Sequence, residues 1–189
     1  QSFGPQSRRV FASWSDGGGV SHAVIAGDAA ASFTATFDTE HEVAVRPSPI
    51  PLNLLVAGSP VVGAATSWWR EGSPHTIDAP TPQVVSPGRR YVFASWSDGG
   101  VASHSIAPTA PATFEATFRL QFLLTVASAH GSPTGAGWYD ESAAAAFGVE
   151  ATVPGATGTR YVFTGWSGDS TYPRPDSSLS MDGPKTVTA

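Results

Sequence analysis

A ten-residue segment occurs three times along this chain, and a chain that repeats itself folds as repeated supersecondary units. Arg90-Tyr91-Val92-Phe93-Ala94-Ser95-Trp96-Ser97-Asp98-Gly99 is preceded by Arg8-Arg9-Val10-Phe11-Ala12-Ser13-Trp14-Ser15-Asp16-Gly17. It is followed by Arg160-Tyr161-Val162-Phe163-Thr164-Gly165-Trp166-Ser167-Gly168-Asp169. A polar loop and a closing strand come after each copy: Phe33–Phe37, then Phe114–Phe118, then Val187–Ala189. A front half recurs as well, Trp68-Trp69-Arg70-Glu71-Gly72 against Trp138-Tyr139-Asp140-Glu141-Ser142. Trp68 to Trp138 and Trp96 to Trp166 are each 70 residues apart, so the unit is about 70 residues long. The first unit has only its back half, and the third stops where its siblings continue with Thr and Phe. The expected organisation is a partial repeat over 1–38, a second repeat over 39–118 and a third over 119–189, cut from a longer array. Gln1 is not an initiator Met and reads as a processed or excised boundary.

The local pattern predicts a mainly β chain. Phe114, Ala116, Phe118, Leu120, Phe122, Leu124 and Val126 alternate onto one face with no Gly or Pro between them. The last strand of one unit therefore runs straight into the first strand of the next, which predicts a stiff, elongated array. Phe33, Ala35 and Phe37 start the same alternation, and His41, Val43 and Val45 continue it loosely. Pro47-Ser48-Pro49-Ile50-Pro51 marks an insertion near 47–53, where the prolines favour extended polyproline-like chain without ladder hydrogen bonds. Asp16-Gly17, Asp98-Gly99 and Asp182-Gly183 supply the positive φ of tight turns.

Composition removes whole classes of function. With 10 basic against 15 acidic residues, and Lys185 the sole lysine, the chain lacks the clustered cations that displace phosphate counterions, so nucleic-acid binding is not expected. Zero Cys removes disulfides, thiol catalysis and cysteine zinc sites. The uncharged run between Arg46 and Arg70 is long enough to cross a bilayer. Pro47, Pro49, Pro51 and Pro60 deny it a helix, so no membrane insertion is expected.

The third unit, from Gly137-Trp138-Tyr139-Asp140-Glu141 through Tyr161–Asp169 to Met181-Asp182-Gly183-Pro184-Lys185-Thr186-Val187-Thr188-Ala189, closely resembles the divergent internalin B-repeat modules of bacterial surface and secreted proteins. The second unit keeps the Tyr-x-Phe-x-x-Trp-Ser core, with Ser95 for Gly. The first matches in its back half only, with Arg9 for Tyr. The resemblance implies β-grasp-like repeats strung along extracellular proteins as stalks or adhesive modules. It transfers no catalytic motif.

The residues themselves suggest few sites. Trp14, Trp96 and Trp166, with Phe11, Phe93 and Phe163, read as the core of units too small to bury much else. Stacking on sugars is the alternative for the three tryptophans. In the pairs Trp68-Trp69 and Trp138-Tyr139, adjacent strand residues point to opposite faces, so one of each is a candidate ligand-binding aromatic. The Asp16, Asp98 and Asp169 loops each offer one carboxylate, too few for calcium, and the five histidines, His22 and His104 among them, read as surface residues without zinc spacing. No nucleophile elbow, phosphate loop or His-Glu-x-x-His helix is present, and Glu71 and Glu141 occupy equivalent places in different units, so neither catalysis nor a cofactor is expected. The sequence predicts a non-catalytic spacer, stalk or adhesion module outside the cell or on a bacterial surface. An ancillary carbohydrate-binding region of an extracellular hydrolase is the alternative. Expected partners are neighbouring repeats and a cell-surface glycan or protein. The open edge at Val10 and Phe11 adds head-to-tail self-association by strand addition, unless that half unit packs within its own chain.

Overall fold

The computed structural model describes residues 4–189, which are all-β and contain no helix. In chain order the strands are β1 (Ser7–Trp14), β2 (Ala35–Ser48), β3 (Asn53–Val56), β4 (Ser59–Val62), β5 (Ala65–Arg70), β6 (His75–Asp78), β7 (Gln83–Ser86), β8 (Arg89–Trp96) and β9 (Ser103–Ile106). They continue with β10 (Ala112–Ala127), β11 (Gly137–Asp140), β12 (Ala144–Phe147), β13 (Thr152–Pro154), β14 (Arg160–Val162), β15 (Ser167–Gly168), β16 (Ser177–Ser180) and β17 (Lys185–Thr188). The chain forms two compact units. One takes the chain up to Pro80 with Ser95–Thr117, the other Thr81–Ala94 with Phe118–Ala189.

In the first unit β2 is the organising strand. Its early part pairs antiparallel with β1, from Trp14↔Ala35 to Ser7↔His41, with a bulge between Phe11 and Ser13. The half unit is thus paired within its own chain. The later part of β2 pairs antiparallel with β5, Glu40↔Arg70 to Val45↔Ala65, and parallel with the start of β10, Val43↔Ala112 to Ser48↔Thr117. Alternation along β2 delivers His41, Val43 and Val45 to the interior, as the sequence predicts. A second sheet, in the order β4-β3-β6-β9, adds Leu54, Val56 and Ile77 to this core.

The proline insertion departs from the expectation of chain without ladder bonds. Pro47 and Ser48 are the last residues of β2 and pair with Ala116 and Thr117. The β5 ladder has ended by Val45, so Pro47 sits at a sheet edge, where a missing N–H leaves no acceptor unpaired. The residues that follow form the β3–β4 hairpin around Ala57 and Gly58, both at positive φ.

In the second unit the later part of β10 has the organising role. It pairs antiparallel with β11, Gln121↔Asp140 to Leu124↔Gly137, and parallel with β17, Leu124↔Lys185 to Ala127↔Thr188. β12 pairs with β16, β13 with β14, and β7 with β8. The core gathers Phe122, Leu124, Phe147, Trp166, Met181 and Val187. The Ala-rich segment after Glu141 is strand β12, with Ala145 and Phe147 turned inward.

Equivalent residues keep equivalent partners. Glu42 faces Trp68 as Leu123 faces Trp138, and Val45 faces Phe114 as Val126 faces Val187. Gln83 faces Tyr91 as Val153 faces Tyr161.

Candidate functional site

Two kinds of constellation carry the side chains that the sequence singles out. The first is the turn after each repeated tryptophan. Gly17 and Gly99 donate to the carbonyls of Trp14 and Trp96 at 3.0 Å and take φ of 77° and 81°, the turn that Asp-Gly predicts. The aspartate side chain then caps the loop, accepting from Gly18 N–H at 3.1 Å in one copy and Gly100 N–H at 3.0 Å in the other. Its second oxygen accepts from a histidine: His22 Nε2 to Asp16 at 2.8 Å, and His104 Nε2 to Asp98 at 2.9 Å. The other ring nitrogen faces a carbonyl, Gly19 O at 2.9 Å and Val101 O at 2.8 Å. Both partners of each ring are acceptors, so the doubly protonated imidazolium satisfies the site completely.

The ring packs so close to the loop that a Cβ on Gly18 or Gly100 would lie within 2.4 Å of it. The same imidazoles meet Trp14 and Trp96 edge-on, with centroids at 6.0 and 5.8 Å. Indole Nε1 donates to Val20 O at 3.3 Å, Ala102 O at 3.0 Å and, in the third copy, Arg174 O at 3.0 Å. The histidines are thus surface residues, as the sequence suggests, His22 exposed and His104 half-buried, but each is tied into its turn by two hydrogen bonds. The signal that finds them is the six-residue Asp-to-His spacing, the same in Asp16/His22 and Asp98/His104.

The hydrogen bond from His22, with that from Gly18, holds the Asp16 carboxyl below its ordinary value. Asp16 and then the Gly19 carbonyl hold His22 above its own. At Asp98 burial pushes the carboxyl up, but the bonds from His104 and Gly100 outweigh it and leave it lowered. For His22 the raised value means a contribution to turn stability that is full below about 6.5 and lost as pH rises through the folded value. For Asp16 the lowered value means a contribution present above about 3.8 and lost as pH falls through the folded value. The turn is therefore most stable between these limits. An NMR titration of His22 is expected to give a higher midpoint in the native chain than in Asp16→Asn, and equal midpoints would refute the coupling.

The three tryptophans differ in burial. Trp96 is 2% and Trp166 5% exposed, whereas Trp14 is half-buried. Phe11, Phe93 and Phe163 are all half-buried, each close to an aromatic neighbour: Phe11 to Trp14, Phe93 to Phe118, Phe163 to Trp166.

The second constellation holds the candidate ligand-binding aromatics. Trp69 is buried, its indole stacked on His75 at 4.0 Å and 10°, and burial pushes the His75 imidazole down. Trp68 is half-buried, with the Arg8 guanidinium 4.4 Å above its ring. Trp138 is covered in the same way by Arg90 at 4.3 Å. Tyr139 packs against the second core and donates its hydroxyl to Gly135 O at 2.7 Å. The covering arginines, missed in the sequence, are anchored in parallel. Arg8 Nε donates to Glu40 at 2.8 Å, and Arg90 Nε to Gln121 Oε1 at 2.9 Å.

Beside these aromatics lies a charge pair whose sign differs between the two ladders. Arg70 meets Asp38 at 2.6 Å, and Asp140 meets Arg119 at 3.1 Å. Glu71 belongs to the first unit and Glu141 to the second. Among the described residues no three His, Asp or Glu side chains converge as metal ligands, and no helix is long and apolar enough to cross a membrane.

Residues 122–189, which carry Trp138, Trp166 and β17, match the family model of the divergent InlB B-repeat domain. No curated protein and no solved structure matches the chain.

Proposed function

We propose that the chain is a non-catalytic tandem-repeat segment of a bacterial surface or secreted protein, acting outside the cell as a spacer, stalk or adhesion module. The match of residues 122–189 to the divergent InlB B-repeat domain carries this reading. The recurring ladder partners extend it beyond the matched segment, because Glu42/Trp68 and Leu123/Trp138 meet in the same register. Neighbouring repeats are its nearest partners, and a cell-surface protein its external one.

The alternative role, an ancillary carbohydrate-binding region, needs an aromatic face open to a sugar ring. The four candidate aromatics argue against it: Trp69 is stacked on His75, Trp68 and Trp138 lie under guanidinium groups, and Tyr139 is half-buried against the second core. A pull-down with insoluble cellulose, chitin and peptidoglycan is therefore expected to retain no more of the native chain than of Trp68→Ala or Trp138→Ala. Retention of the native chain that either substitution abolishes would overturn the spacer reading in favour of carbohydrate binding.

A further inference from the structure

The opening strands of the two ladders, β5 and β11, are nearly interchangeable. Each presents two adjacent aromatics, Trp68-Trp69 and Trp138-Tyr139, followed by one charged residue and a glutamate. They meet their organising strands in the same register, Glu40↔Arg70 and Gln121↔Asp140. The next residues along also correspond, Glu71 N–H donating to Thr39 O and Glu141 N–H to Leu120 O, both at 2.9 Å. Hydrophobic burial is non-directional and does not tell Trp68 from Trp138. A chain with two such ladders can pair β5 with β10, or β11 with β2, within one molecule or between two copies.

The charged residue is where the strands differ, and it differs in sign together with its partner. In the first unit Arg70 reaches Asp38; in the second Asp140 reaches Arg119 and also accepts from Gln121 Nε2 at 2.7 Å. Exchange would place Arg70 against Arg119. It would place Asp140 against both Asp38 and Glu40. We propose that this reversed charge pair is a strand-pairing key: it makes β2 accept β5, and β10 accept β11, and turns away the exchanged combination. The arginine side chains are largely exposed, 65% for Arg70 and 60% for Arg119. Exposed pairs add little stability, but exchange replaces two attractions by two repulsions, so the pairs act on the choice between ladders.

The test uses the full chain, which has no native cysteine. Thr39→Cys and Glu141→Cys together place a thiol at each position that becomes adjacent only when β11 sits on β2. The chain is refolded from urea with oxidised glutathione at low salt, and the disulfide between the two positions is counted by mass spectrometry, within and between molecules. Adding Arg119→Asp with Asp140→Arg restores an opposite pair in the second ladder but gives both ladders the same sign. The disulfide is expected to rise about tenfold over the native charge background. Salt at about 1 M is expected to raise it in the native background as well, because screening removes the discrimination. Equal yields in the two charge backgrounds at low salt overturn the proposal. Should the reversed chain fail to fold, Asp38→Arg with Arg70→Asp makes the ladders alike from the other side, and failure of both to fold also overturns it, since each ladder would then depend on its own sign alone.

Discussion

Trp166→Ala is expected to destabilise the second unit by ~3–5 kcal/mol, the cost of emptying a large aromatic site that cannot collapse. The indole meets Phe147 edge-on at 4.9 Å and Phe163 at 5.6 Å, and it lies in the cluster with Leu124, Met181 and Val187, all fully buried. Truncation also removes the indole N–H that the Arg174 carbonyl accepts. Urea unfolding followed by circular dichroism measures the loss. The same substitution at Trp14 is expected to cost much less, because that ring is half-buried and so is its neighbour Phe11, whose own partner Phe37 is 50% exposed. A Trp166→Ala midpoint equal to the native one would remove this tryptophan from the core.

Gly135→Ala is expected to be nearly as severe, at ~3 kcal/mol or more, for a reason that lies in the backbone. Gly135 has φ of 90°, and a Cβ there would lie 2.2 Å from the Ala146 carbonyl oxygen and 2.7 Å from Phe147 Cα. No rotamer relieves a clash with backbone. The chain must move at the Thr134–Gly148 bridge, and with it the carbonyl that receives the Tyr139 hydroxyl. Gly183→Ala is the control: contrary to the sequence expectation Gly183 does not take positive φ, nothing lies within 4 Å of the added carbon, and the variant is expected to stay within about 0.5 kcal/mol of native. Comparable thermal midpoints for the two variants would contradict the clash.

The parts legible in the sequence are those fixed by short-range physics. Alternation along Phe114–Val126 predicts one long strand and its inward face, and Ala116, Phe118, Phe122 and Leu124 are buried on it. Asp-Gly predicts the turns at Gly17 and Gly99, because glycine takes positive φ without a steric penalty. Alternation also says that Trp68 and Trp69 point apart. It cannot say which points inward, since that depends on where β6 brings His75. The arginines over Trp68 and Trp138 come from β1 and β8, remote in sequence from the rings they cover. Burial of equivalent residues diverges for the same reason: Phe37 is half exposed and Phe118 is 4% exposed, although both end the same Thr-Phe motif. Local sequence is shared between copies, but the surrounding elements are not.

The parallel pairing that closes each unit also sets a timetable for synthesis. Val43 finds its neighbour Ala112, and Leu124 finds Lys185, only after almost the entire intervening unit has been made. Antiparallel neighbours such as β3 and β4 meet across two residues, while the central ladder must wait for the last strand to emerge. Until then the edge of β2 from Val43 to Ser48, or of β10 from Leu124 to Ala127, stands open with its ladder hydrogen bonds unmade. Ordering distant ends is entropically slow, so this closure is the step at which a nascent unit is most exposed to the wrong strand. A chain built from successive closures of this kind completes its units one at a time, from the N-terminus onward, each finished before the next has its closing strand.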